Sequence, residues 1–148
     1  MTYEDRIERA VALFKSGYNC SQSVVAAFAD LYGFTDEQAF KMAASFGGGI
    51  GRMRQTCGAA CGLFLLAGLD TGATEGSDNE GKSYNYKVVQ ELAEKFRQEN
   101  GSLICSELLG LSKQEPTPHQ AEVRTPEYYK KRPCAEMVAL AAELLEKY

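Results

Sequence analysis

The sequence has no apolar run long enough to cross a bilayer. Its apolar runs, such as Leu63 to Ala67, are far short of the roughly 20 residues that a spanning helix needs. Its opening stretch, MTYEDRIERAV, is charged and amphipathic and lacks the apolar segment of a signal peptide. The expected compartment is therefore cytoplasmic, with no membrane insertion. Positive charge is not in excess: the formal charge is −4 and the pI is near 5.1. Nucleic acid and anionic membrane are thereby disfavoured as main partners. No segment alternates apolar and polar residues with a period of two, and no internal repeat occurs.

Several chemical signatures are missing as well. The glycine stretch SFGGGIGRMRQTCGAACG has no Gly-Lys-Ser/Thr ending, since Arg52 and Met53 follow Gly51. That excludes a phosphate loop of the Walker type. A dinucleotide fingerprint fails too: its third glycine position is Arg54 counted from Gly49 and Gly51, or Arg52 counted from Gly47 and Gly49. No C-x-x-C-H haem attachment, C-x-x-C pair, G-x-S-x-G or metal-spaced acid cluster is present. The single histidine, His119, lies in a proline-containing segment and reads as a solvated loop residue. A Cys–His pair would require that loop to fold back onto a thiol.

What is present is helical pattern. The chain has 148 residues, 45% apolar and 24% charged, the profile of one globular domain. Ile7, Ala10, Val11 and Phe14 set an amphipathic helix over about residues 3–16. Asn19 caps a second, carrying Val24, Phe28, Leu31 and Tyr32 and stopped by Gly33. Thr35 caps a third, running to Phe46. After the glycines, a helix from Thr56 to about Leu69 is apolar all round and so predicts a buried centre. Residues 70–83 read as a polar loop. Val88, Val89, Leu92 and Phe96 mark a long surface helix. Ser102 caps a short helix closed by Gly110. Residues 111–132 read as a long loop, and Pro133 opens the last helix. The expected fold is all-α: a single-domain bundle over residues 1–148, with about seven helices. Tyr84, Tyr86, Tyr128 and Tyr129 read as packing and loop-anchoring residues.

Five cysteines are many for such a chain. In a reducing compartment they point to ligation or redox chemistry rather than structural disulfides. Cys20, Cys57, Cys105 and Cys134 fall in the first turns of four different expected helices. Unpaired N–H groups and the helix dipole there favour a thiolate or an anionic sulfur-ligated cluster. Arg52 and Arg54 precede Cys57, and Lys130, Lys131 and Arg132 precede Cys134, adding positive charge. Cys61 lies one turn after Cys57, a poor disulfide geometry. It reads as a packing thiol or a sharer in a metal site. Gly48, Gly49 and Gly51 suit a flexible approach whose N–H groups face an anion, or a close passage of backbone. Gly58 and Gly62 leave the start of the central helix bare, open to a helix or a cofactor.

These residues resemble the C_GCAxxG_C_C family of redox-active proteins. The resemblance runs from SGYNCSQSV through FGGGIGRMRQTCGAACG to CSELLG and PCAEMVALAAELL. It implies that Cys20, Cys57, Cys105 and Cys134 are the functional set, with Gly58, Ala59 and Gly62 completing the motif and Cys61 at a variable position. The family is also similar to the cysteine-bearing part of split-Soret cytochromes, which implies an iron–sulfur centre without haem. The leading expectation is that the four cysteines ligate a [2Fe–2S] or [4Fe–4S] cluster for electron transfer, with a redox protein as partner and a homodimer admitted. Three alternatives stay open: a thiol–disulfide oxidoreductase using two of the cysteines, a structural zinc site held by all four, and a helical interaction module with incidental cysteines.

Overall fold

The computed structural model describes residues 2–110, 119–131 and 134–147. Among these are eight α-helices and no strand. They are α1 (Tyr3–Lys15), α2 (Cys20–Phe28), α3 (Asp36–Ala43), α4 (Gly58–Thr71), α5 (Asn79–Asn100), α6 (Cys105–Leu108), α7 (Pro126–Lys131) and α8 (Cys134–Lys147). Single 3-10 turns, Ala29–Tyr32 and Ala44–Phe46, extend α2 and α3. The expected all-α class holds.

Three helices begin with reciprocal caps. Thr2 with Asp5, Asn19 with Gln22 and Thr35 with Gln38 each exchange side-chain and backbone hydrogen bonds. Such boxes satisfy N–H groups that a helix leaves unpaired. The Asn19 box also ties α2 to the next hairpin. Asn19 Nδ2 donates to Ala44 O at 3.0 Å and Gln22 Nε2 to Phe40 O at 3.1 Å. Cys20, directly after the cap, inherits that fixed position.

α4 lies at the centre and packs on α2, α5 and α8. Its buried residues run without a break from Gly58 to Leu63 and resume at Leu66 and Ala67. Phe14, Val24, Phe28, Leu92, Phe96 and Val138 close around it from the other helices. Gly58 and Gly62 sit where α2 comes closest. A methyl group at Gly62 would stand 3.0 Å from Val24 Cβ, and one at Gly58 2.9 Å from Phe46 O and 3.4 Å from Cys20 Cβ. Their absence of a side chain thus brings the Cys20 and Cys57 helix starts together.

Several boundaries differ from the sequence reading. α2 ends at Phe28 rather than Tyr32. Arg6 marks the end of α2: it donates to Ala27 O at 2.8 Å and pairs with the Asp30 carboxylate, just past α2, at 2.6 Å. α5 starts at Asn79 under an Asp78 cap, well inside the expected loop. α7 occupies part of the expected loop over 111–132. Its signal is Thr125-Pro126-Glu127: Thr125 Oγ1 accepts from Tyr128 N at 3.1 Å, an N-cap followed by proline at the first helical position. Tyr129 anchors as expected, donating to Lys15 O at 2.9 Å, whereas Tyr84 and Tyr86 are exposed. Pro133 lies outside the described residues.

Candidate functional site

The four expected cysteines meet. Cys20, Cys57, Cys105 and Cys134 all line one cavity of about 50 Å³, together with Gly48, Gly49, Gly58, Arg54 and Arg124. None forms a disulfide. The cavity is far smaller than the roughly 300–1,000 Å³ of an organic-ligand pocket. Cys61 and His119 are not among its lining residues. His119 is exposed, as its loop position suggested. Cys61 is buried and directs its thiol at Thr56 O, 3.8 Å away.

Each cysteine arrives on a helix start, with two refinements. Cys57 is itself the N-cap of α4, where Thr56 was expected. Cys105 is the first residue of α6, and Ile104 holds the N-cap position expected for Ser102. Ser102 Oγ instead accepts from Ile104 N at 2.9 Å. The two segments form an isolated antiparallel bridge between Thr56 and Ile104. Cys57 N donates to Leu103 O and Cys105 N to Gln55 O, both at 2.6 Å. Two sulfur-bearing helix starts are therefore locked side by side by backbone alone.

The glycine stretch is a defined element, not a flexible approach. Gly48, Gly49, Ile50, Gly51 and Arg52 have φ of 69°, 73°, 66°, 56° and 64°, five consecutive left-handed residues. Arg54 adds a sixth position at 61°. Left-handed backbone costs an L-residue about 1–2 kcal/mol, and the β-branched Ile50 is the least suited to it. Hydrogen bonds offset the cost. Every N–H from Ile50 to Gln55 donates to a backbone oxygen between Ser45 and Ile50. Those N–H groups are therefore not turned to an anion, and the nest reading fails for them. The tight passage of backbone is what the glycines provide. A methyl group at Gly49 would stand 2.5 Å from Cys105 Cβ. Gly48, Gly49 and Gly58 line the cavity, while Gly51 and Gly62 stand away from it.

Cys20, Cys57 and Cys61 are not acidified. Burial pushes Cys57 up to about 12, although the Ala60 and Ala59 N–H groups at the helix start pull the other way. Cys20 is raised well above its usual range, first by a hydrogen bond shared with the Cys134 thiol, then by burial and the neighbouring sulfurs. Burial, with Cys105 nearby, lifts Cys61 to about 11. The expectation of helix-start thiolates is thus corrected for Cys20 and Cys57. At these two, desolvation and the neighbouring sulfurs outweigh the dipole.

The cations also sort differently. Arg54 Nη1 donates to Cys105 Sγ at 3.6 Å, not to Cys57. Arg52 pairs with Glu122 at 3.2 Å. The side chains of Lys130 and Lys131, and all of Arg132, lie outside the described residues. Arg124 has no counterpart among the sequence expectations. Its guanidinium stands 4.6 Å from the Phe14 ring and 4.8 Å from that of Tyr128, and donates to Phe14 O at 3.0 Å and Tyr18 O at 3.1 Å. It ties its own segment to the end of α1 and Tyr18 beside the cavity. A lone arginine in a segment without periodicity carries no signal of that role.

Among the described residues, no group of three or more His, Cys, Asp or Glu side chains is arranged to hold a single metal ion. No helix there is long and apolar enough to cross a membrane. No curated protein and no solved structure matches the chain. One family model does, described as "Putative redox-active protein (C_GCAxxG_C_C)", over residues 18–148. The matched span carries every cysteine of the cavity. The chain belongs to the C_GCAxxG_C_C family.

Proposed function

We propose that this protein transfers electrons through an iron–sulfur cluster ligated by Cys20, Cys57, Cys105 and Cys134. One observation carries the reading: four thiols from four helix starts line a single small cavity. A cluster, when bound, supplies a one-electron couple at this place. The donor set is chemically right for it. A zinc ion needs all four sulfurs within about 2.3 Å of one point, and no such grouping occurs among the described residues. Cluster ligands are spread over two or more irons, so four cysteines lining one cavity suit them better.

The surrounding residues have corresponding roles. The Ala59 and Ala60 N–H groups face the Cys57 sulfur, and Arg54 donates to Cys105. Both favour sulfur that has lost its proton. Ligation releases those thiol protons, so loading is favoured by rising pH. Arg124 and the Phe14 and Tyr128 rings form part of the cavity wall. Electrons would pass to a redox partner protein, with the cytoplasm as the compartment.

A second reading has one observation in its favour. The Cys20 and Cys134 thiols share a hydrogen bond, the starting geometry for a dithiol couple. Exchange requires a thiolate, and the protonated state of Cys20 at neutral pH weighs against it. Purification without oxygen separates the two. The cluster reading expects a brown protein with matching iron and acid-labile sulfide. A colourless, iron-free protein that reversibly loses two titratable thiols would replace it with the dithiol reading.

A further inference from the structure

We infer that Arg54 sets the reduction potential of this centre, acting as a positioning residue through the Cys105 sulfur. The inference rests on the cluster reading above and goes further, because it names the group that biases the electron. Two arginines line the cavity. Arg124 is committed to two backbone carbonyls and three aromatic rings. Arg54 donates to a sulfur, Nη1 to Cys105 Sγ at 3.6 Å.

Its placement is over-determined. The Arg54 backbone holds a positive φ of 61°, a conformation that persists only where the surroundings enforce it. Its N–H donates to Gly48 O at 3.2 Å, and its carbonyl accepts from Ser106 N at 3.3 Å. The backbone thus grips the start of α6 while the guanidinium returns to the first residue of that helix. The side chain is only 11% exposed, and Nε is buried without a hydrogen-bond partner. Glu122 is its carboxylate neighbour, at 3.9 Å, and stands nearer to Arg52, at 3.2 Å. The charge beside Cys105 is therefore weakly countered.

The consequence is electrostatic. A cluster held by four thiolates is anionic, and reduction adds one electron and no bond change at the protein. A fixed cation hydrogen-bonded to a ligating sulfur favours the reduced state and raises the potential. Glu122, which partly offsets that cation, lowers it.

The test uses the full chain reconstituted without oxygen with iron and sulfide, as wild type, Arg54→Gln, Arg54→Lys and Glu122→Gln. Iron content is measured first, then the midpoint potential by spectroelectrochemistry. Arg54→Gln should raise the oxidised-to-reduced ratio at fixed potential about tenfold, a fall of about 59 mV for one electron. Arg54→Lys should recover part of it, which a merely structural role would not do. Glu122→Gln should shift the potential upward. Equal iron content with unchanged potentials in Arg54→Gln overturns the inference and leaves the cluster reading standing. If Arg54→Gln does not fold, Glu122→Gln decides alone: an upward shift supports the inference, and no shift or a downward one overturns it. A wild-type protein that takes up no iron overturns both.

Discussion

Replacing Gly49 with alanine should damage this protein more than the same change at any exposed glycine. Gly49 has φ +73°, and an added Cβ would stand 2.5 Å from Cys105 Cβ, 2.8 Å from Arg54 Cα and 2.8 Å from Gln55 N. Two of those three atoms are backbone and cannot swing aside. The left-handed conformation costs about 1–2 kcal/mol for an L-residue. Forcing a methyl group into a filled space adds about 1–3 kcal/mol. Together Gly49→Ala should lose about 3 kcal/mol, a fall in Tm of about 6–12 °C for a chain of this size. Two controls separate the components. Gly51 has φ +56° with nothing within 4 Å, so Gly51→Ala should lose only the conformational part, about 1 kcal/mol. Gly68 lies in α4 with open space around it, so Gly68→Ala should gain up to about 1 kcal/mol from helix propensity. Urea or thermal unfolding of the three variants reads the order directly. If Gly49→Ala were as mild as Gly51→Ala, the close passage between the glycine turn and Cys105 would be refuted.

Other consequences follow from the thiols and the cavity wall. Cys57 holds its proton up to about pH 12 in the folded chain, against an ordinary value of 9.0. Its contribution to stability is therefore complete below pH 9 and is lost as pH rises towards 12, with a slope of up to about 1.4 kcal/mol per unit. Cys57→Ala should flatten that fall of the metal-free protein in denaturant titrations above pH 9, and an unchanged slope would contradict the burial assigned to Cys57. Where peroxide oxidises the metal-free protein, the disulfide formed should join the hydrogen-bonded pair, so that peptide mapping finds Cys20 linked to Cys134 with Cys61 still free. A first link involving Cys61 would contradict that contact. Arg124→Ala removes two hydrogen bonds and three cation–π contacts, worth about 2–3 kcal/mol. It should also speed alkylation of the cavity cysteines several-fold, whereas an unchanged rate would show that Arg124 does not cover them.

Much of this is legible in the sequence because the helix signals are local. Asn19 and Thr35 cap where expected, and the apolar circumference of α4 marks it as central. Four cysteines at helix starts are already suggestive, since a bundle brings helix ends together in layers. The glycine turn is not legible: alternation of glycine with Ile50, Arg52 and Arg54 does not announce five successive left-handed residues, whose stability depends on carbonyls from Ser45 to Ile50. The state of the thiols escapes the sequence for a different reason. The dipole at a helix start can be read from position, whereas desolvation depends on what packs over the sulfur. The same limit hides Arg124, whose partners Phe14 and Tyr18 are more than a hundred residues away in sequence.

The central claim is that four particular thiols, and not the fifth, form one ligand set. Iron and acid-labile sulfide should be counted after anaerobic reconstitution of wild type and of five single variants, each cysteine changed to serine. The account predicts equal iron and sulfide in wild type and in Cys61→Ser, and a loss of most of both in the variants of Cys20, Cys57, Cys105 and Cys134. Full loading in any of those four, or an iron-free wild type, would contradict it.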